Sequence, residues 1–167
     1  MTNLNLKSST IKLSKLALLL VLFFSTSLMV NAQKLISADE LTPNFLKETF
    51  ENAFIEVLEV KETYVKVKDV YSVFLDIDPK KRYVTLSGVY QIVEGANKQE
   101  VYELMNKINT EVALVKIFYN EKTNTISYYY YFYTEGGFTQ KSLIYAMKLY
   151  KDAITLSLQK DTAKLIK

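Results

Sequence analysis

One stretch of this chain concentrates unusual side-chain chemistry: Ser127-Tyr-Tyr-Tyr-Tyr-Phe-Tyr133, in which aromatic rings are unbroken from Tyr128 to Tyr133. Tyrosine offers a broad apolar ring and a hydroxyl that both donates and accepts, which suits a surface that is wet when free and covered when bound. In an extended strand side chains alternate, so Tyr129, Tyr131 and Tyr133 share one face and Tyr128, Tyr130 and Phe132 share the other. Ile126 lies with the even-numbered row, whereas Thr125 and Ser127 lie with the odd-numbered one. The even row is therefore expected in a core, and Tyr129, Tyr131 and Tyr133 are the candidate partner-binding residues. Strand propensity with packing on both sides explains the same run without any binding role. Stacked aromatics also build sugar platforms, but the acids and amides that usually accompany them are missing from this strand.

The remaining chemistry is sparse. The chain has no histidine, and so lacks the commonest general base and metal ligand. It has no cysteine either, which excludes a thiol nucleophile, a disulfide framework and a lipid-modified N-terminal cysteine. A small enzyme using paired carboxylates, with acids such as Asp76 or Glu135, is the one catalytic alternative these residue types allow. Asp76-x-Asp78 is too short of oxygen ligands for a calcium loop and is followed by Pro79, so it reads as a turn. Asn106 and Asn109 share a helix face and could form a binding pair, but asparagine commonly terminates helices, and a structural cap is the reading adopted. No catalytic residue, metal or cofactor is expected.

These residues sit behind a leader. Lys7, Lys12 and Lys15 precede the apolar run Leu16–Phe24, and Val30-Asn31-Ala32 presents the small residues a signal peptidase reads, with cleavage between Ala32 and Gln33. Nine uninterrupted apolar residues fall short of the ~20 of a membrane-spanning helix. Residues 1–32 are thus a secretory signal peptide, the working protein is exported to the periplasm or beyond the cell, and no membrane span remains. Three of the 21 basic residues leave with the leader, and the 18 that remain balance 18 acidic ones. A neutral, mixed surface gives no electrostatic case for nucleic acid. The short cluster Lys80-Lys81-Arg82 reads as a solvated turn.

The mature chain is one domain's length. After a lead-in over residues 33–41, Thr42 caps a helix with Pro43 at its first position, and Leu46, Phe50, Ala53 and Phe54 recur at helical spacing. Three extended runs follow, marked by Val65/Val67, by Val73/Leu75/Ile77 and by Val84/Leu86/Tyr90/Ile92. Asn97 caps a second helix with the stripe Val101, Leu104, Met105 and Ile108. Two strands, 113–119 and 125–133, lead past Gly136-Gly137 to a third helix capped by Thr139, with Leu143, Met147, Tyr150 and Ile154 as its buried stripe. Residues 159–167 read as a frayed tail. The expected fold is α+β, an antiparallel five-stranded sheet with helices packed on one face, in the order α-β-β-β-α-β-β-α.

Over residues 42–158 this pattern resembles the YbjN-like domain family, described as bacterial sensory-transduction regulators and similar in fold to type III secretion chaperones. The resemblance rests on Val101-Tyr-Glu-Leu-Met-Asn-Lys-Ile-Asn109, Val115-Lys-Ile-Phe-Tyr119, Asn124-Thr-Ile-Ser127 and Gly136-Gly-Phe-Thr139. It implies the α+β fold. The aromatic strand and the missing catalytic vocabulary are what point to an exported, non-enzymatic binding module, chaperone-like or regulatory in the cell envelope, working on a protein partner or on itself. Export departs from the intracellular role the family's description suggests. Mass measurement of the protein purified from the envelope should give a chain beginning at Gln33, cyclised to pyroglutamate or not. A full-length product held in the cytoplasm would refute the leader.

Overall fold

A computed structural model describes residues 34–167; the leader and its cleavage site lie outside the described residues. The compact unit, Leu35–Lys167, is a six-stranded antiparallel sheet with three helices. After a single 3-10 turn, Ala38–Glu40, the order is α1 (Pro43–Asn52), β1 (Glu56–Val60), β2 (Tyr64–Lys68), β3 (Ser72–Ile77), β4 (Tyr83–Gln91), α2 (Lys98–Glu111), β5 (Lys116–Asn120), β6 (Thr125–Tyr133) and α3 (Gln140–Lys160). In space the strands run β1-β2-β3-β4-β6-β5, so β6 inserts between β4 and β5.

The expected fold class holds, but the sheet has six strands rather than five. The missed strand is β1, because Leu58 is an extra residue where its register with β2 slips between Val57 and Glu59. A bulge of this kind breaks the two-residue alternation by which a strand is read. Ala53 and Phe54 likewise leave the expected helical stripe. The helix stops at Asn52, Ala53 is its cap, and Phe54 turns the chain with φ of 59° while its side chain is 99% exposed. The caps expected at Thr42, Asn97 and Thr139 are in place; their side chains accept from Phe45 N, Gln99 N and Ser142 N.

One face of the sheet carries the core. Val65, Val67, Val73, Leu75, Val84, Leu86, Ile126 and Tyr128 are buried with Leu46 and Phe50 of α1, Val101 and Ile108 of α2, and Leu143, Met147, Tyr150 and Ile154 of α3. Gly88 of β4 makes room for this packing. A Cβ there would lie 3.2 Å from both the Tyr150 hydroxyl and the Tyr90 ring. Tyr150 uses the space to donate its hydroxyl to the Tyr128 carbonyl at 3.1 Å. Burial raises the pKa of all three tyrosines, Tyr90 to about 12, so they stay neutral; the buried hydroxyls of Tyr90 and Tyr128 have no hydrogen-bond partner among the described residues.

The C-terminal tail is not frayed. Asp161 accepts backbone N–H bonds from Leu165 and Ile166 at 2.9 and 2.8 Å, Leu165 is buried, and Ile166 bridges to Ile92 beside the end of β4. Its polar composition hides this, because the turn depends on one carboxylate rather than on an apolar run. The lead-in is anchored too, by Ile36 pairing with Phe138.

Phe54 occupies the position after the helix cap that glycine normally takes, and its Cβ there costs about 1–2 kcal/mol. Phe54→Gly should raise Tm by roughly 3–4 °C, a gain of about 1 kcal/mol, while Phe54→Ala should give no such gain. Thermal denaturation followed by circular dichroism checks both; equal effects would mean the strain is absent.

Candidate functional site

The core-facing parity of each strand fixes what its other face presents. Tyr64 and Lys66 of β2, Phe74 and Asp76 of β3, Tyr83, Thr85, Ser87 and Val89 of β4, Ser127, Tyr129, Tyr131 and Tyr133 of β6, and Lys116 and Phe118 of β5 all point away from the helices. Register then sorts them into cross-strand rows. One runs Glu59, Lys66, Phe74, Ser87, Tyr129, Lys116; the next runs Tyr64, Asp76, Thr85, Tyr131.

The rings form edge-to-face pairs across this surface. Tyr64 meets Phe74 at 5.6 Å between centroids, Tyr83 meets Tyr131 at 5.5 Å and Tyr133 at 6.2 Å, and Phe118 meets Tyr129 at 5.7 Å. Lys66 lies 4.9 Å over Phe74, and the Arg82 guanidinium 5.5 Å over Tyr83. Such pairs hold the rings in place without covering them. Tyr131, Phe118 and Tyr133 remain 38%, 55% and 71% exposed.

The structure thus places Tyr129, Tyr131 and Tyr133 together on the open face, and Tyr128 in the core with Tyr130 and Phe132 packed against it. Sequence reasoning missed Tyr64, Phe74, Tyr83 and Phe118 as their neighbours. The signal was present, since each alternates with buried aliphatic residues, but parity alone does not say which strands adjoin.

The acids divide by environment. Asp76 sits mid-strand between Tyr64 and Thr85 with no hydrogen bond or ion pair among the described residues, and partial burial raises its pKa. Asp78 closes the β3–β4 turn, accepting from Arg82 Nε at 2.9 Å, Arg82 Nη2 at 3.1 Å and the backbone N–H groups of Lys80 and Arg82. The Arg82 guanidinium above all holds its carboxyl down at about 2. Asp76 and Asp78 therefore do not share a cation, and Glu135 lies beyond β6 in an exposed turn. Among the described residues no group of three or more acids could hold a metal.

Asn109 has a role other than the expected cap. Helix α2 continues to Glu111, and the Asn109 side-chain amide accepts from Ile117 N at 3.0 Å and donates to Ile117 O at 3.3 Å. It thereby occupies the outward hydrogen-bonding groups of Ile117 in edge strand β5. Asn106 instead offers its backbone carbonyl to the Thr110 hydroxyl. Beside this contact lies a shallow groove of about 700 Å³ lined by Val112, Leu114, Val115 and Phe118 among others. A second exposed apolar stripe, Tyr145, Leu149 and Leu156, follows the outer side of α3. No described helix is long and apolar enough to cross a membrane.

Residues 70–157 match the sequence profile of the YbjN family, described as "Putative bacterial sensory transduction regulator", and the chain belongs to that family. Among solved structures it is similar to the crystal structure of YbjN, "a putative transcription regulator from E. coli". The likeness spans 74% of this chain and 94% of that one with a TM-score of 0.63, at 12% sequence identity, which establishes a shared fold and nothing finer. No curated protein matches the chain significantly.

The two aspartates give opposite pH signatures. Asp78, depressed below the usual value near 4, contributes stability above that value that is lost as pH falls toward 2. Asp76, raised, favours the fold when protonated and opposes it as pH rises through its folded pKa. At pH 7, Asp78→Asn should lower Tm and Asp76→Asn should raise it, with both differences shrinking toward pH 2. Thermal melts across pH 2–7 check this, and a loss of stability in Asp76→Asn at pH 7 would contradict the reading.

Proposed function

We propose that this member of the YbjN family is an exported, non-enzymatic binding module that presents the open face of its sheet to a protein partner, in a regulatory or chaperone-like role in the cell envelope. The observation that carries this reading is the aromatic surface itself. Seven rings stand on the face away from the core: Tyr64, Phe74, Tyr83, Phe118, Tyr129, Tyr131 and Tyr133. Packing does not require them there, since the helices already bury the opposite face. A broad surface rich in tyrosine and bordered by the charged Glu59 and Lys116 has the composition of protein interfaces, where tyrosine anchors and a polar rim recur. The leader supports export. The description of the family as regulators is consistent with a domain whose work is association.

The enzyme alternative gains nothing from the geometry. Asp76 is flanked in register by Tyr64 and Thr85 rather than by a second acid, and Asp78 is committed to Arg82.

The test separates folding from binding. Tyr128→Ala removes a fully buried ring and should cost about 3–5 kcal/mol. Tyr131→Ala combined with Tyr133→Ala should leave Tm nearly unchanged yet lower capture of envelope partners about tenfold or more. Tyr145→Ala with Leu149→Ala, on the far side of the molecule, should leave capture intact. Undiminished capture by the sheet-face variant, or its loss in the helix variant alone, would overturn the assignment.

A further inference from the structure

The open face is broad and nearly complementary to itself, and its rows indicate what covers it. We propose that a second copy of this chain packs on it, face to face, about a two-fold axis that runs parallel to the strands between β3 and β4. The proposal rests on the reading of this face as a binding surface and names its occupant.

Such an axis exchanges the two halves of the sheet. It sets β1 against β5, β2 against β6, and β3 against β4 of the other copy, while each row keeps its own level. In the first row Glu59 then faces Lys116, Lys66 faces Tyr129, and Phe74 faces Ser87. In the second row Tyr64 faces Tyr131, and Asp76 faces Thr85. Four of these five pairings are chemically matched, Phe74 against Ser87 being the exception, and each occurs twice by symmetry. In the adjoining row Glu56 faces Phe118 and Lys68 faces Ser127, which add contact without complementarity. The first pairing brings a second cation to a carboxylate that already holds Lys61 at 3.0 Å and accepts from the Tyr64 hydroxyl at 3.0 Å. The second places Lys66, which lies over Phe74 in its own copy, against another ring. The fourth is an aromatic pair, and the last brings a hydroxyl donor to a carboxylate that has no hydrogen bond or ion pair among the described residues. Lys116 likewise makes no ion pair or hydrogen bond among the described residues, and gains one here. A two-fold across the strands through the same row does the reverse. It sets Glu59 against Glu59, Lys66 against Lys66 and Lys116 against Lys116.

Sheets packed face to face are offset by about 30° because each is twisted, which displaces the edges by about one row. The acidic character of β1 spans that displacement, since Glu56 stands one row from Glu59 and pairs with Lys68.

Size and shape favour a second copy over a peptide. Strands about 4.8 Å apart, from five to nine residues long, give a footprint of roughly 600 Å² before side-chain relief, near the ~800 Å² per partner of a standard interface. A broad sheet face matches that extent with another sheet about 10 Å away. A strand added at an edge is obstructed by the Asn109 amide on β5 and by the bulge in β1.

Sedimentation velocity on the purified protein should show a dimer. Lys116→Glu and Glu59→Lys should each weaken self-association about tenfold or more, because each sets like charges across both symmetry-related contacts. An equimolar mixture of the two variants should dimerise again, since opposite charges then meet at both contacts. Circular dichroism of each variant confirms that folding is intact. A monomeric wild type at about 100 μM, a dimer insensitive to both substitutions, or a mixture that stays monomeric would overturn the proposal. If the wild type is monomeric while Tyr131→Ala with Tyr133→Ala still loses its envelope partner, self-pairing fails and the face remains a binding surface for another protein. If that variant also keeps its partner, both readings fail.

Discussion

The pairing of β4 with β6 governs the rest of the molecule. Nine consecutive residues of each strand are in register, from Tyr83 opposite Tyr133 to Gln91 opposite Thr125. The ladder is fixed at both ends. At one, Thr134 and Glu135 donate their N–H groups to the Arg82 carbonyl, and the Thr134 hydroxyl donates to that of Lys81. At the other, Ile92 N donates to the Asn124 carbonyl while the Asn124 amide donates to that of Ile92. A slip of one residue would move every side chain of β6 to the opposite face. For most strands that would bury polar groups and expose apolar ones. For a strand that is aromatic at every position from 128 to 133, hydrophobicity penalises the slip weakly, so hydrogen bonds at the ends must supply the discrimination.

The core then follows from size. Tyr128 enters opposite Gly88, the small residue in β4 that lets Tyr150 and Tyr90 close over it. The hydroxyl of Tyr150 finds the Tyr128 carbonyl, so the polar end of a large buried ring is satisfied by the strand it packs against. The same pairing sends Tyr129, Tyr131 and Tyr133 outward, where Tyr83 and Phe118 brace them edge to face.

Much of this was legible in the chain. Helix ends with short local signals were readable: Thr42 before Pro43, Asn97, and Thr139. Strands with clean alternation were also readable, β6 to its terminal residues and β2 within one. What escaped depended on distant partners or on broken periodicity. β1 hid behind the extra Leu58, and Phe54 stood at a helical spacing although the backbone there turns left-handed. Residues 159–167 read as frayed because the anchor of the tail is the Asp161 carboxylate and a bridge to Ile92, neither of which leaves an apolar pattern. The open face was half visible. One strand of it drew attention, while Tyr64, Phe74, Tyr83 and Phe118 joined it only once strand order was known.

Asn109 has a consequence beyond its own helix. Its side-chain amide imitates a peptide unit and stands where a seventh strand would begin, while the bulge in β1 obstructs the opposite border. Edge-to-edge stacking, once started, has no natural stopping point; contact through a single broad face is exhausted when that face is covered. By obstructing its borders and leaving one surface bare, the fold permits association in a finite number and opposes growth into a filament. That distinction matters for a tyrosine-rich sheet, whose strands would otherwise be well suited to endless polymerisation.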